Sequence, residues 1–358
     1  MSKLAALVLA VTFTIARAPY RYDFPRDHFA HDTYRTEWWY YTGHLQTADG
    51  RRFGYELTFF RFALIPNSRV IRAGQSAWRA AQLYPAHFAI TDESAQRFSF
   101  DERLGREALN QAGSSQSRLD VGVNDWTLRE IPAASGFTMQ IHAASGPRAL
   151  DLVLRPLKPP AIHGEGGVSR KGPCTSCASH YYSFTRIATS GTLVESGRRY
   201  AVSGVSWMDH EFGSGELTPE QTGWDWFSMQ FADGRDVMLY RLRQRDGTVT
   251  PQSSGSVVER NGRVAPFSFS RVSLTEKAYW TSPHTGARYP SEWIVGVPGF
   301  AHAIHIVPAL ADQELIDPGG ALTYWEGAVN LYDAGTGRVI GAGYVELTGY
   351  ANASGISI

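Results

Sequence analysis

Cysteine is nearly absent: the chain has 2 in 358 residues, both in Cys174-Thr175-Ser176-Cys177. A disulfide framework is therefore excluded, and no second ligand pair stands at zinc-finger spacing. Gly172-Pro173 before the pair and Ala178-Ser179-His180 after it read as a loop, so the thiols either bridge locally or stay inert. Net charge is absent too. Lys plus Arg number 34 and Asp plus Glu number 34, which leaves no field to attract nucleic acid or an anionic membrane. No internal segment reaches the roughly eighteen continuous apolar residues of a membrane-spanning helix. Familiar catalytic signatures are missing. There is no His-Glu-x-x-His and no Gly-x-Ser-x-Gly: Gly167-Val168-Ser169 runs into Arg170-Lys171, and Gly204-Val205-Ser206 into Trp207-Met208. The Gly-rich His163-Gly164-Glu165-Gly166-Gly167 lacks the Lys-Ser/Thr ending of a phosphate loop.

Aromatic residues are plentiful, with 18 Phe, 17 Tyr and 10 Trp. Many fall in short alternating runs broken by Gly, Pro or Asp-Gly turns, as in Trp38–Leu45, Arg52–Phe62, Tyr181–Ile187, Arg199–Met208, Trp224–Phe231, Arg235–Leu242, Trp325–Tyr332 and Arg338–Leu347. Helical patterns are few and short: Leu104–Ala112 and Ala309–Ile316. The pattern predicts an all-β chain of barrels or sandwiches. A weak repeat divides it. Gln46-Thr47-Ala48-Asp49-Gly50-Arg51 and Gln230-Phe231-Ala232-Asp233-Gly234-Arg235 read as equivalent hairpins, and Trp207-Met208-Asp209 after Gly204 matches Tyr344-Val345-Glu346 after Gly343. Two tandem β units are expected, residues 19–215 and 216–358. The Gly/Pro/Ser-rich stretch Leu157–His180 reads as a long ordered loop that covers a site. Ahead of the first unit, Lys3, the apolar Leu4–Ala16 and the small-x-small Ala16-Arg17-Ala18 predict an export signal over residues 1–18, hence a periplasmic or secreted protein.

Chemistry concentrates in Ser206–Gly213 and Gly223–Trp226. Period two puts Trp207, Asp209 and Glu211 on one strand face and Met208, His210 and Phe212 on the other. Carboxyls buried among rings keep their protons, so Asp209, Glu211 and Asp225 are candidate proton donors, joined by His210 if a bulge turns it to the same face. Trp207, Trp224, Trp226, Trp39 and Tyr41 are suited to stabilise a carbocation. The plain alternative pairs these acids with Arg61, Arg241 or Arg243, pairs Glu37 with one of the same arginines, and packs the tryptophans as core. A metal set of His163, Glu165, His180, Asp209, His210 and Glu211 fits no zinc spacing.

Glu37-Trp38-Trp39-Tyr40-Tyr41-Thr42-Gly43-His44-Leu45, Tyr55-Glu56-Leu57-Thr58-Phe59-Phe60-Arg61, His163-Gly164-Glu165 with Ser169-Arg170-Lys171-Gly172, Tyr181-Tyr182-Ser183, Trp207–Gly213 and Gly223-Trp224-Asp225-Trp226 resemble the signatures of AttH-type secreted proteins, relatives of bacterial carotenoid 1,2-hydratases. The resemblance runs from about Asp23 to Tyr350 and takes in Tyr324-Trp325-Glu326-Gly327 and Tyr344–Tyr350. It implies two consecutive lipocalin-like β-barrels. It also implies hydration of an isolated terpenoid double bond without cofactor, an Asp donating the proton with His, Trp and Tyr nearby. The AttH-type branch is often labelled a predicted hydrolase, and an ABC-type transporter partner is implied as well. The expected ligand is an elongated apolar isoprenoid or lipid, with Glu37, Trp39, Tyr41, Arg61, His163, Tyr182, Trp207, Trp224 and Trp226 as binding residues and no metal. A non-catalytic carrier and a metal-dependent hydrolase stand as alternatives.

Overall fold

The computed structural model describes residues 12–66, 80–133, 136–215, 217–316 and 323–351. Most of the predicted export signal, residues 1–11, lies outside them; of the remainder, Ala16 packs against Tyr34, Val168, Ala178 and Phe212. Among the described residues there is no α-helix, only the 3-10 turns Arg26–His28, Ala108–Asn110 and Phe269–Arg271. Twenty-three strands form two antiparallel sheets. The first holds β1 (Thr36–Gln46), β2 (Arg52–Ala63), β3 (Gln82–Asp92), β4 (Arg97–Arg106), β5 (Ala112–Ser114), β6 (Asp120–Val123), β7 (Trp126–Glu130), β8 (Met139–Ser145), β9 (Arg148–Pro156), β10 (Ala161–Ile162), β11 (Ser169–Arg170), β12 (Ala178–Glu195) and β13 (Arg198–Gly213). The second holds β14 (Gln221–Phe231), β15 (Asp236–Gln244), β16 (Ser254–Val258), β17 (Val264–Ser268), β18 (Ser273–Thr281), β19 (Arg288–Gly296), β20 (Ile304–Pro308), β21 (Glu314–Leu315), β22 (Tyr324–Asp333) and β23 (Val339–Leu347).

Strand order runs β4-β3-β2-β1-β13-β12-β9-β8-β7-β6-β5 in the first sheet and β17-β16-β15-β14-β23-β22-β20-β19-β18 in the second. Each sheet therefore lays its first strand beside its last, the order a duplicated unit produces. The first curls into a nearly closed barrel and the second into a half-barrel, the lipocalin-like pair that the sequence led us to expect. The two Asp-Gly hairpins are superimposable in kind. Gly50 and Gly234 adopt φ of 85° and 86°, and Thr47 and Phe231 pair with Arg51 and Arg235 through N–H···O bonds of 3.0 Å. Only glycine takes this left-handed turn without strain.

Two sequence readings need correction. Leu104–Ala112 and Ala309–Ile316 are not helices: Leu104 lies in β4, Ala112 opens β5, and Glu314–Leu315 form β21. Windows this short cannot offset the cost of helix nucleation, and strand pairing takes them. The alignment of the closing strands is also displaced by two residues. Gly204 faces Leu45 and Gly343 faces Met229, each just before the hairpin glutamine, so Glu346 corresponds to Trp207 and Thr348 to Asp209. Both glycines are required by close approach: a Cβ at Gly204 would lie 1.9 Å from the His44 carbonyl oxygen, and one at Gly343 2.0 Å from that of Ser228.

Near the contact between the sheets, β1, β2, β3, the second half of β13, β14 and β15 are buried on both faces, whereas β4, β9 and β18 keep an exposed or half-exposed face. Inside the first barrel Trp39, Tyr41, Tyr55, Phe59, Trp126 and Leu152 fill the core, and inside the second Phe227, Trp293, Trp325 and Val345 do. The outer faces of β1, β13, β12 and of β14, β15, β22, β23 pack against one another through Tyr40, Tyr181, Trp207, Trp226, Tyr240 and Tyr344.

Candidate functional site between the barrels

A cavity of about 170 Å³ lies in this interface between the two sheets. Half-buried Trp38, Phe60, Phe62 and Trp224, with the aliphatic Leu217, form its apolar rim. Two cross-strand rows form its floor. In the first sheet Tyr40, Asp209 and Ser183 stand side by side across β1, β13 and β12. In the second, Trp226, Glu346 and Glu326 stand side by side across β14, β23 and β22.

Asp209 accepts hydrogen bonds from Tyr181 Oη to Oδ2 at 2.7 Å, from Trp207 Nε1 to Oδ1 at 2.7 Å, and from Ser183 Oγ. Trp226 Nε1 donates to the Tyr181 oxygen at 3.0 Å. Burial nonetheless dominates and pushes the Asp209 carboxyl up to about 7, against those three donors, with Glu211 adding to the rise. Burial likewise lifts Glu346 to about 7, with Trp224 Nε1 donating to its Oε2 at 3.0 Å. Glu326 is raised well above its ordinary value by burial and by Glu346 and Glu56. Tyr40 donates to Glu326 Oε1 at 2.5 Å. Behind the floor, burial raises Glu56 to about 8.

The loop reading of Leu157–His180 becomes a strap across one wall, with β10 and β11 paired to β12 and a Cys174–Cys177 disulfide. It brings Lys171 Nζ to 3.2 Å from Glu211 Oε1. Burial pulls the Lys171 ammonium down, but Glu211, Tyr240 and Asp209 together outweigh that and hold its pKa above normal. The strap also supplies His163, whose Nε2 meets Ser183 Oγ at 2.8 Å and whose Nδ1 meets Ser256 Oγ at 3.2 Å. Burial drives His163 down to about 3. Since Ser183 donates to Asp209, the neutral ring must donate to Ser183 from Nε2.

The other sequence-predicted residues lie elsewhere. β13 has no bulge that would redirect His210, which faces the first barrel with Glu37, Trp39, Tyr41, Arg61 and Tyr182. There Glu37 accepts from His31 Nδ1 at 2.8 Å, His210 Nε2 at 2.9 Å, the His31 backbone at 2.9 Å and Arg61 Nε at 2.9 Å. Burial would raise Glu37, but Arg61 and His31 draw it well below the carboxylate range. Glu37 thus forms the ion pair named as its plain alternative. His31, Glu37 and His210 do have metal-ligand spacing, their donor atoms within 4.8 Å of one another. The Arg61 guanidinium on the same carboxylate opposes a second cation, so the trio fits an internal polar plug better than a metal. Asp225 faces the second barrel, bonded to Arg241 Nε at 2.8 Å and Tyr350 Oη at 3.0 Å and paired with Arg243 at 3.0 Å. The wider metal set does not assemble either, because His180 bonds the Gly167 carbonyl and His210 points away from Asp209.

Tyr40, Tyr181, Lys171, Glu326 and Glu346 were not foreseen as site residues. For the two glutamates the signal was a lone acid set at period two in a largely apolar strand, Tyr324-Trp325-Glu326 and Tyr344-Val345-Glu346; Lys171 lies between β11 and β12 and had no such signal.

Several known proteins share this architecture. A crystal structure of a candidate AttH from Nitrosomonas europaea superposes with a TM-score of 0.84 at 31% identity, covering 94% of this chain and 99% of that one. Kievitone hydratase from Nectria haematococca superposes with a TM-score of 0.68 at 15% identity, covering 95% and 97%. CghA bound to Sch210972 gives 0.52 at 13% identity, covering 89% and 90%. The last two establish the fold alone. No curated protein matches the sequence. The AttH-like family model matches residues 15–350, and with this coverage the chain belongs to the AttH-like family.

Proposed function

We propose that the interdomain cavity receives one end of an apolar ligand, isoprenoid or lipid, and protonates it, adding water to an alkene or shifting its double bond. The observation that carries this reading is Asp209 buried at the floor of a cavity rimmed largely by aromatic rings, where burial pushes its carboxyl up to about 7. A cavity of about 170 Å³ is smaller than the roughly 300–1,000 Å³ of a drug-sized site. An elongated ligand would therefore bury its end and leave its length along the rim.

Proton delivery follows from the hydrogen bonds. When Asp209 is protonated, it donates to the Tyr181 oxygen, which frees the phenolic proton to pass to an alkene carbon while Asp209 replaces it. The alkene π pair forms the new C–H bond, and the adjacent carbon becomes a cation facing Tyr40 and Trp226. Water then adds its oxygen to that carbon and returns a proton to the Asp209 carboxylate, which closes the cycle. His163 orients Ser183 and through it the carboxyl, and is a positioning residue. Kievitone hydratase, a hydratase by name, lends this reading its fold. Export and association with an ABC-type transporter are part of the proposal, resting on the Leu4–Ala18 pattern and the sequence resemblance.

The test is incubation with geraniol, farnesol and a prenylated phenol in heavy water. Deuterium in recovered alkene or alcohol is expected with wild type. Asp209→Asn is expected to lower the rate by at least about a hundredfold, in the range for loss of a general acid, while ligand affinity is retained. Absence of exchange with intact binding would leave the carrier reading in its place.

A further inference from the structure

Among the described residues the cavity lining has more acid than base: Asp209, Glu326 and Glu346 line its floor, while the one described lining cation, Lys171, is already engaged by Glu211. Glu326 is 1% exposed, its Oε1 is taken by Tyr40, and its Oε2 has no hydrogen-bond partner among the described residues. A buried carboxylate oxygen without a donor is costly unless something supplies positive charge. Tyr40 and Trp226 line the cavity with it, packed edge to face at 5.3 Å, and Trp207 stands behind Trp226 at 6.0 Å. Carboxylates within an aromatic box are how proteins hold alkylammonium groups.

We infer that the buried end of the ligand carries a unit positive charge, or acquires one in reaction, so that the cavity takes arylalkylammonium ions in preference to neutral isosteres. The inference rests on the interdomain cavity being the ligand site. Binding such an ion displaces a proton: the incoming charge favours the ionised form of Glu326, Glu346 or Asp209, and the released proton goes to solvent. The groups facing these acids are Lys171 and Glu211 from the strap and β13, Tyr40 and Tyr181 from β1 and β12, and Glu56, Tyr324 and Tyr344 from β2, β22 and β23. Lys171 is already cationic and the tyrosines are held above their ordinary values by burial. The floor carboxyls, with Glu56 behind them, are the groups left to respond.

The probe pair is benzyltrimethylammonium and its neutral isostere neopentylbenzene, titrated into the full chain by tryptophan fluorescence and by calorimetry in phosphate and HEPES. The ammonium is expected to bind at least about tenfold more tightly at pH 8. Its affinity is expected to fall by up to about tenfold per unit as pH drops below the acids' range, while the isostere's stays flat. Heats in the two buffers are expected to reveal proton release. Glu326→Gln and Glu346→Gln should each remove most of the ammonium preference and leave isostere affinity intact. Equal affinity for the two probes, or a preference that ignores pH, overturns the inference while the cavity stands. Failure of both probes to bind overturns the cavity reading with it.

Discussion

Asp209 receives three hydrogen bonds that favour its anion, yet its pKa is held near 7, because the cost of burying charge exceeds what the three donors return. Glu346 follows at about 7 and Glu56 at about 8. Each binds its proton more tightly folded than unfolded. Each therefore contributes stability that is full below the unfolded value of about 4 and is lost as pH rises through the folded value. Thermal midpoints are expected to fall between about pH 5 and about pH 8. Asp209→Asn, an isostere of the protonated acid, is expected to remove on the order of 1–3 kcal/mol of that loss. A flat pH profile in the wild type, measured by calorimetry, would contradict this. The acid was legible in the sequence, since Trp207-Met208-Asp209 sets a carboxyl beside a ring at strand period. Its partners were not: Tyr181 and Ser183 are distant in sequence and join it only through β12–β13 pairing.

At the scale of elements, β12 carries a register shift between Phe184 and Ile187. The shift lies where Thr185 and Arg186 reach the second sheet. Asp236 of β15, fully buried, accepts from Thr185 Oγ1 at 2.9 Å, from Arg186 Nη2 at 2.6 Å and from Lys158 Nζ at 2.6 Å. Arg186 also donates to the Phe231 carbonyl at 2.9 Å. This cluster ties the barrels together beside the cavity. Asp236→Ala would leave Lys158 buried without its counter-ion, at an expected cost of about 3–5 kcal/mol in denaturant unfolding; a loss under 1 kcal/mol, about what a surface pair contributes, would show that the cluster does not bear on stability. Strand existence was readable here because alternation and Asp-Gly turns are local. The bulge was not, because nothing local in Tyr181–Ile187 marks an extra residue.

For the whole molecule, duplication explains why sequence alone could not tell inside from outside. In most antiparallel sheets one face is wet and alternation reports the core. In β1 and β14 both faces are buried, one in a barrel and one against the other barrel. Trp39 and Tyr41 therefore look like Trp38 and Tyr40 in sequence, yet line a packed core instead of the cavity. Glu37 and Asp225 likewise look like Asp209, but each faces its own barrel and meets arginine. The floor acids instead face one another, Ser183, Lys171 and aromatic rings, and that burial comes from both halves. Infrared difference spectroscopy, wild type minus Asp209→Asn, measures the result directly. The account predicts a protonated carboxyl signal for Asp209 that persists on titration to about pH 7 and is missing from the variant. A carboxylate signal for Asp209 already complete at about pH 5, close to the ordinary range, would contradict it.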